Sequence, residues 1–269
     1  MEAFVFKKLK ITPGDPLQYT LESNNQALLL NSVLGNTITI ACSTHLNCVH
    51  CGRKMTKGYQ GGYCYPCTQR LAQCDMCILK PEQCHFHLGT CREPEWGIQH
   101  CMQPHVVYLS NTSGLKVGIS RGTNIPYRWL DQGAQQALVL YQAATRRVSG
   151  LLEVAAMEFV ADKTNWRQML KGDAPAVDVL AFAAELKTKL ATKVVALQKE
   201  FGEAAVQSVA PQLSTFSYPI LEYPTKIQSL KLNPTYQGRL LGMKGQYLLF
   251  EEGVMNIRNY AGYQLTWQC

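Results

Sequence analysis

The sequence predicts an α+β protein with β-rich segments at both ends. Between them lie a cysteine-rich module and, after it, a small α/β domain. Three observations predict this class. Nine of the eleven cysteines fall between residues 48 and 101, strand-like runs broken by glycines occur at both ends, and apolar residues recur at helical spacing over 178–201. We therefore divide the chain into the segments 1–41, 42–105, 106–172, 173–205 and 206–269.

The composition predicts a globular protein with a substantial core, since 46% of the residues are hydrophobic and 17% are charged. No run approaches the roughly 20 apolar residues that a membrane-spanning helix needs. The first ten residues place their lysines after the apolar residues and offer no cleavage site, so we expect no signal peptide, no membrane association and a cytoplasmic location. In that reducing compartment, cysteines favour metal sites over disulfides.

The two terminal segments both have a β texture. Segment 1–41 contains strand-like runs at 4–11, 17–22 and 36–41, and segment 206–269 contains Tyr, Ile and Leu runs interrupted by glycines. Because these similar ends flank a different middle, we expect them to form one shared small β domain.

Segment 42–105 begins with the strongest motif of the chain. Cys48-x2-Cys51 is followed after twelve residues by Cys64-x2-Cys67. Each C-x2-C places two thiolates on one tight turn, and two such turns close a tetrahedral site with Zn–S distances of about 2.3 Å. The pattern predicts a structural Zn²⁺ site of the zinc-ribbon type.

A second zinc site is predicted from the denser cysteines that follow. Cys74-x2-Cys77 forms a third knuckle. The preferred pair to complete a four-ligand site with it is Cys91 and Cys101. The sequence leaves open a second choice of completing pair, Cys84 with His87. An iron–sulfur cluster is disfavoured because the cysteine spacings differ from the common cluster motifs. Neither zinc site has the ligand pattern of a catalytic zinc.

Segment 106–172 changes to a mixed texture. It predicts the order strand, strand, helix, strand, helix, from the runs VVYLS and LKVGIS, a short helical stretch, and the runs ALVLYQA and LLEVAAMEFVADK. It carries eight Lys and Arg against four acids, and 226–269 carries five against two. With aromatic residues among these charges, the distribution favours nucleic acid as partner, and we predict contacts at Arg121, Arg146 and Arg147. A merely solvated basic surface is the alternative.

Segment 173–205 contains the clearest helix, at 178–201. Apolar residues recur there at spacings of three and four, while the lysines fall mostly off that face. Asp173 and Pro175 precede the helix at positions typical of a helix start. We interpret this helix as a packing element.

Residues 106–118 carry a resemblance to a known superfamily. The runs 106–108 (VVY) and 116–118 (KVG) resemble the two motifs of the GIY-YIG nucleases, with Arg128, Glu153 and Asn165 following at the family's later site positions. The whole chain is also similar to an uncharacterised family of bacterial and archaeal proteins in which a cysteine module precedes a segment KVGIS…RWLDQGA. The resemblance implies a GIY-YIG-like small α/β domain.

The resemblance also implies a chemistry. Glu153 would hold Mg²⁺ or Mn²⁺, Tyr108 would orient or deprotonate water, and Arg128 would neutralise charge on a phosphate. Lys116 would complete the site, although the second motif usually has tyrosine there. The sequence thus predicts a zinc-containing nucleic-acid-binding protein, and the resemblance implies metal-dependent endonuclease activity as the specific enzymatic hypothesis. The alternatives are a non-catalytic RNA- or DNA-binding module and a protein whose zinc module docks a protein partner.

Overall fold

A computed structural model describes residues 5–23 and 26–269, and the described chain is a mixed α/β protein with several β-sheets. The strands are β1 Lys10–Thr12, β2 Gln18–Ser23, β3 Gln26–Leu29, β4 Thr37–Cys42, β5 Leu46–Asn47, β6 Lys54–Met55, β7 His105–Asn111, β8 Leu115–Arg121, β9 Gln136–Ala143, β10 Val206–Ser208, β11 Ser214–Thr215, β12 Thr235–Lys244, β13 Tyr247–Phe250, β14 Gly253–Asn256 and β15 Leu265–Gln268. The α-helices are α1 Tyr65–Arg70, α2 Pro94–His100, α3 Tyr127–Asp131, α4 Arg146–Ala156, α5 Trp166–Met169 and α6 Val179–Phe201.

The two ends of the chain meet in one antiparallel sheet of order β14-β13-β12-β4-β15. In it, β4 pairs on one edge with β12 and on the other with β15. The three-stranded sheet β1-β2-β3 packs on the same apolar core, which includes Leu21, Ile40 and Leu248. Burial of these alternating apolar side chains holds the N-terminal and C-terminal segments together.

The first predicted strand, 4–11, differs from the structure. Residues 1–4 lie outside the described residues, and regular strand begins only at Lys10. Before it, the amide of Phe6 donates to the carbonyl of Tyr263 and the amide of Leu9 donates to Oε1 of Gln246. This stretch is therefore bound by C-terminal loops, which the local sequence pattern could not reveal.

The second large sheet, of order β10-β9-β7-β8 with β11 also on β9, positions the cleft described below. Strands β7 and β8 form an antiparallel hairpin, α3 links β8 to β9, and α4 follows β9. This is the predicted order of strand, strand, helix, strand, helix. Helix α4 begins earlier than predicted, because Thr145 caps it by accepting a hydrogen bond from the amide of Val148. It also ends earlier, at Ala156.

Helix α6 covers one face of this sheet and matches the predicted helix over 178–201. Asp178 caps it by accepting from the amide of Ala181, and its buried positions include Ala183, Leu186 and Leu190. Among the described residues, no helix combines the length and the apolar character needed to cross a membrane.

The cysteine-rich segment joins these parts through short turns rather than through a core of its own. It contains the β5–β6 hairpin, α1, α2 and several one-turn 3₁₀ helices. One of these turns, Pro81–Gln83, packs directly on α4 at Gly150, where an added Cβ would lie 2.6 Å from the amide nitrogen of Glu82. Only glycine permits this close approach.

Candidate metal centre and cleft

The first thiol group consists of Cys48, Cys51, Cys64 and Cys67, whose sulfur atoms all lie within 4.8 Å of one another. Cys48 directly follows β5, and Cys64 directly precedes α1. The amide of Cys64 donates to Sγ of Cys48 at 3.2 Å, which ties the two knuckles together. These four thiols could hold a metal ion, as the spacing predicts.

The surroundings shift the pKa values of two members of the first thiol group in opposite directions. Burial raises the pKa of Cys48, but hydrogen bonds from the amides of Cys51, Cys64 and His50 outweigh it and lower that pKa to about 6. Burial and the neighbouring thiols raise the pKa of Cys67. A cation bound among the four sulfurs would remove this mutual repulsion, because a metal favours thiolates.

The later cysteines separate into two places. Cys74 is buried and is not among the residues lining the small cavity near α2, while charges of the first thiol group lie within electrostatic range of it. Cys77 instead lines this small cavity; with it are Cys84, Cys91 and Cys101. His87 is exposed and is not among the residues lining that cavity.

The residues predicted to be catalytic line one large cleft, with a volume of about 1650 Å³. Tyr108 comes from β7, Lys116 from β8, Arg128 from α3 and Glu153 from α4. The cleft is also bordered by residues from the cysteine-rich segment and from the terminal sheet. Asn165 is not among the lining residues; its side chain caps α5 by accepting from the amide of Gln168.

Tyr108 is held from three sides. Its hydroxyl donates to Oε1 of Gln132 at 2.9 Å, and its ring packs on Trp129 in a T-shaped arrangement. Across the hairpin it faces Gly118, where an added Cβ would lie 2.6 Å from the tyrosine oxygen. A glycine in the second motif is therefore required to make room for the tyrosine of the first. Burial raises the pKa of Tyr108, so its phenol stays protonated at neutral pH.

Glu153 and Lys116 form the electrostatic centre of the cleft. Burial, reinforced by the negative charge of Asp162, raises the pKa of Glu153 to about 7 despite the nearby Arg146 and Arg128. Lys116 is only 5% exposed, and burial together with the charge of Arg128 lowers its pKa to about 8. Both side chains thus titrate close to neutral pH, which is typical of functional sites.

The cleft is strongly basic. Its walls carry eight lysine and arginine side chains against three carboxylates. Arg121 and Arg146 are among them, whereas Arg147 is not and instead lies over the ring of Phe201 at 5.4 Å. The structure therefore separates the predicted pair of neighbouring arginines.

Several cleft residues were not singled out from the sequence. Asp162 and Gln132 lie beside the predicted residues, and Arg258 comes from the far end of the chain. Asp162 reaches the cleft because the amide of Val117 pairs with the carbonyl of Ala161 at 2.8 Å. No local motif signals these positions, because tertiary contacts alone bring them to the site.

Comparison with known proteins identifies the family but no function. A family model described as a protein of unknown function (DUF2797) matches residues 35–265. No curated protein and no solved structure matches the chain. The matched region contains the first thiol group, the small cavity with its four cysteines and most of the cleft. The chain therefore belongs to the DUF2797 family.

Proposed function

We propose that the cleft binds nucleic acid and hydrolyses its phosphodiester backbone with the help of a divalent cation. The observation that carries this proposal is the convergence of Tyr108, Lys116, Arg128 and Glu153, from four separate elements, in one basic cleft. A polyanion is attracted to such a surface, and a phosphate near Arg128 would have charge-neutralising donors at hand. The strand and helix order of 105–156 also agrees with the GIY-YIG resemblance.

The residues present suit a divalent cation at Glu153. Its carboxylate is half-buried beside the second negative charge of Asp162, and burial together with this repulsion raises its pKa to about 7. Carboxylate oxygens are the ligands that Mg²⁺ and Mn²⁺ prefer. Such a cation, when bound, would polarise the scissile phosphate and stabilise the leaving oxygen.

The side chains of the cleft would then divide the remaining work. Tyr108, protonated and fixed by Gln132, orients water rather than removing its proton. Lys116 has a pKa of about 8, so near this pH much of its amine is neutral and can accept a proton from the attacking water. Arg128 stabilises negative charge on the phosphate oxygens.

We further propose that the first thiol group binds Zn²⁺ and has a structural role. Four thiolates saturate the tetrahedral coordination of zinc and leave no open position for chemistry. The loop that follows its first knuckle supplies Lys57 and Tyr63 to the wall of the cleft. The metal would therefore hold this wall in place, because zinc binding at such sites is coupled to folding.

The test is metal-dependent cleavage of DNA and RNA by the purified protein. Glu153→Ala should abolish cleavage and leave binding nearly intact, because the basic side chains remain. Arg128→Ala should lower the rate by about 10²-fold or more, as expected for the loss of a charged contact to the transition state. Arg147→Ala is the matched control and should cleave normally, since Arg147 lies outside the cleft. Cleavage that survives Glu153→Ala would refute the assignment.

A non-catalytic nucleic-acid-binding protein is the second candidate. Two observations favour it: Tyr108 is fully buried, and Lys116 replaces the tyrosine of the second motif. In that case the same cleft would bind nucleic acid with a steep salt dependence, and no divalent cation would elicit cleavage. Absence of salt-sensitive binding would instead favour a protein partner for the cysteine-rich segment.

A further inference from the structure

A second group of cysteines surrounds the small cavity near α2 and α4. Its four members are Cys77, Cys84, Cys91 and Cys101, and the cavity between them has a volume of about 10 Å³. This is room for about one water-sized particle, which suits a single ion and not a cluster of iron and sulfide. We call these residues the second thiol group.

The members of the second thiol group are enclosed and electrostatically coupled. Cys77, Cys84 and Cys101 are buried, and Cys91 is half-buried. Burial raises the pKa of Cys77 to about 12, with contributions from Asp75, Cys84 and Cys101. Burial likewise raises the pKa of Cys101 to about 11, with contributions from Cys84 and Cys91. Cys77 and Cys101 therefore lie within electrostatic range of other thiols that line the cavity.

We propose that Cys77, Cys84, Cys91 and Cys101 together bind one Zn²⁺ as a second tetrathiolate site. Six, six and nine residues separate successive members of the second thiol group in the sequence. No two of them therefore form a C-x2-C knuckle. This ligand set differs from the sequence-based one, because it excludes Cys74 and includes Cys84. It is independent of the function proposed for the cleft.

Two other candidate ligands, Asp75 and His85, also line the cavity. Asp75, which could form a three-membered group with Cys77 and His85, is paired with Arg92 at 2.6 Å. Nδ1 of His85 is hydrogen-bonded to Oγ1 of Thr90. His100 bonds through Nδ1 to the carbonyl of Trp96 and stacks on its ring. The four thiols outnumber the other donors that line the cavity. Nε2 of His85, which lies 3.6 Å from Oδ2 of Asp75, is the competing ligand that the test below distinguishes by its Zn–N distance.

A nearby arginine balances the charge of such a site. Four thiolates around one Zn²⁺ carry net negative charge, and the guanidinium of Arg146 offsets part of the rise that burial causes in the pKa of Cys77 and of Cys101. The amide of Arg146 donates to the carbonyl of Cys101, and its Nη2 donates to the carbonyl of Ile78. Within the described part of the chain its buried Nε has no hydrogen-bond partner. Arg146 begins α4, so the second site would fasten the cysteine-rich segment to the helix that carries Glu153.

The test uses the full-length protein, produced in zinc-supplemented medium and purified without chelators. Elemental analysis should give about two zinc ions per chain, and X-ray absorption should show a shell of sulfur alone at about 2.3 Å. Cys84→Ser should reduce the content to about one. Cys74→Ser is the matched control and should retain both ions.

Three outcomes would overturn the proposal. The first is a wild-type protein with about one zinc ion. The second is a nitrogen shell at about 2.0–2.1 Å, which would place histidine among the ligands. The third is loss of zinc from Cys74→Ser while Cys84→Ser keeps both ions. Because wild-type absorption and the Cys74→Ser content decide the question by themselves, misfolding of Cys84→Ser would not block the test.

Discussion

The raised pKa of Glu153 predicts an unusual dependence of stability on pH. In the folded protein its carboxyl has a pKa of about 7, against an ordinary value of 4.5. Between these two values the folded protein binds more protons than the unfolded chain does. The contribution of Glu153 to the free energy of unfolding is therefore present at low pH and is lost as pH rises toward 7.

The size of this contribution follows from the shift. One pKa unit corresponds to about 1.4 kcal/mol, so the full shift amounts to roughly 3 kcal/mol, and partial exposure of the side chain reduces it to about 1–3 kcal/mol. Glu153→Gln removes the titration and keeps the shape of the side chain. The variant should therefore match the wild type near pH 5 and exceed its stability near pH 8.

The assay is urea unfolding at several pH values between 5 and 8, without Mg²⁺ or Mn²⁺. Chelators must be left out, because they would strip ions from the thiols. Glu158→Gln is the matched control: Glu158 is exposed and lies two residues beyond α4, so its variant should follow the wild-type curve. Equal pH dependence in Glu153→Gln and the wild type would show that the Glu153 carboxyl is not desolvated in the cleft.

Three further predictions concern the cleft. Gly118→Ala should lower the free energy of unfolding by about 1–3 kcal/mol in denaturant titrations and slow cleavage, because the added Cβ overlaps the hydroxyl of Tyr108. Unchanged stability would contradict this packing. Arg121→Ala should reduce by about 1 the slope of the logarithm of the binding constant against the logarithm of the salt concentration, measured by fluorescence anisotropy. Arg147→Ala should leave this slope unchanged, and equal slopes for the two variants would place the nucleic acid outside the cleft. The cleavage rate should rise with pH through about 8, as the amine of Lys116 loses its proton. Lys116→Arg should abolish this rise, because a guanidinium keeps its proton. A rise that persists in the variant would exclude Lys116 as the base.

The parts of the structure that follow from local spacing were accessible from the sequence. The grouping of Cys48 with Cys51 and of Cys64 with Cys67 depends on two tight turns, and helix α6 follows from a periodic pattern over 23 residues. The order of elements around Tyr108 and Glu153 was likewise readable, because each element is short and bounded by turn residues.

The partners of the later cysteines were not accessible in the same way. Cys74-x2-Cys77 has the spacing of a knuckle, but Asp75 accepts a hydrogen bond from the amide of Cys77 and separates two one-turn helices. Cys74 consequently lies near the first thiol group and Cys77 lines the other cavity. The position of Asp162 in the cleft could not be predicted for a related reason. A single β-bridge between Lys116 and Ala161, which are distant in the sequence, brings Asp162 there.

The most direct test of the proposed cleft chemistry is the location of the divalent cation in crystals. Wild-type crystals soaked with Mn²⁺ should show an anomalous scattering peak at the carboxylate of Glu153, within the cleft that also contains Arg128 and Lys116. Such a peak would place the cation where a bound phosphate could reach it. A Mn²⁺ peak away from Glu153, at concentrations that support cleavage in solution, would contradict the account.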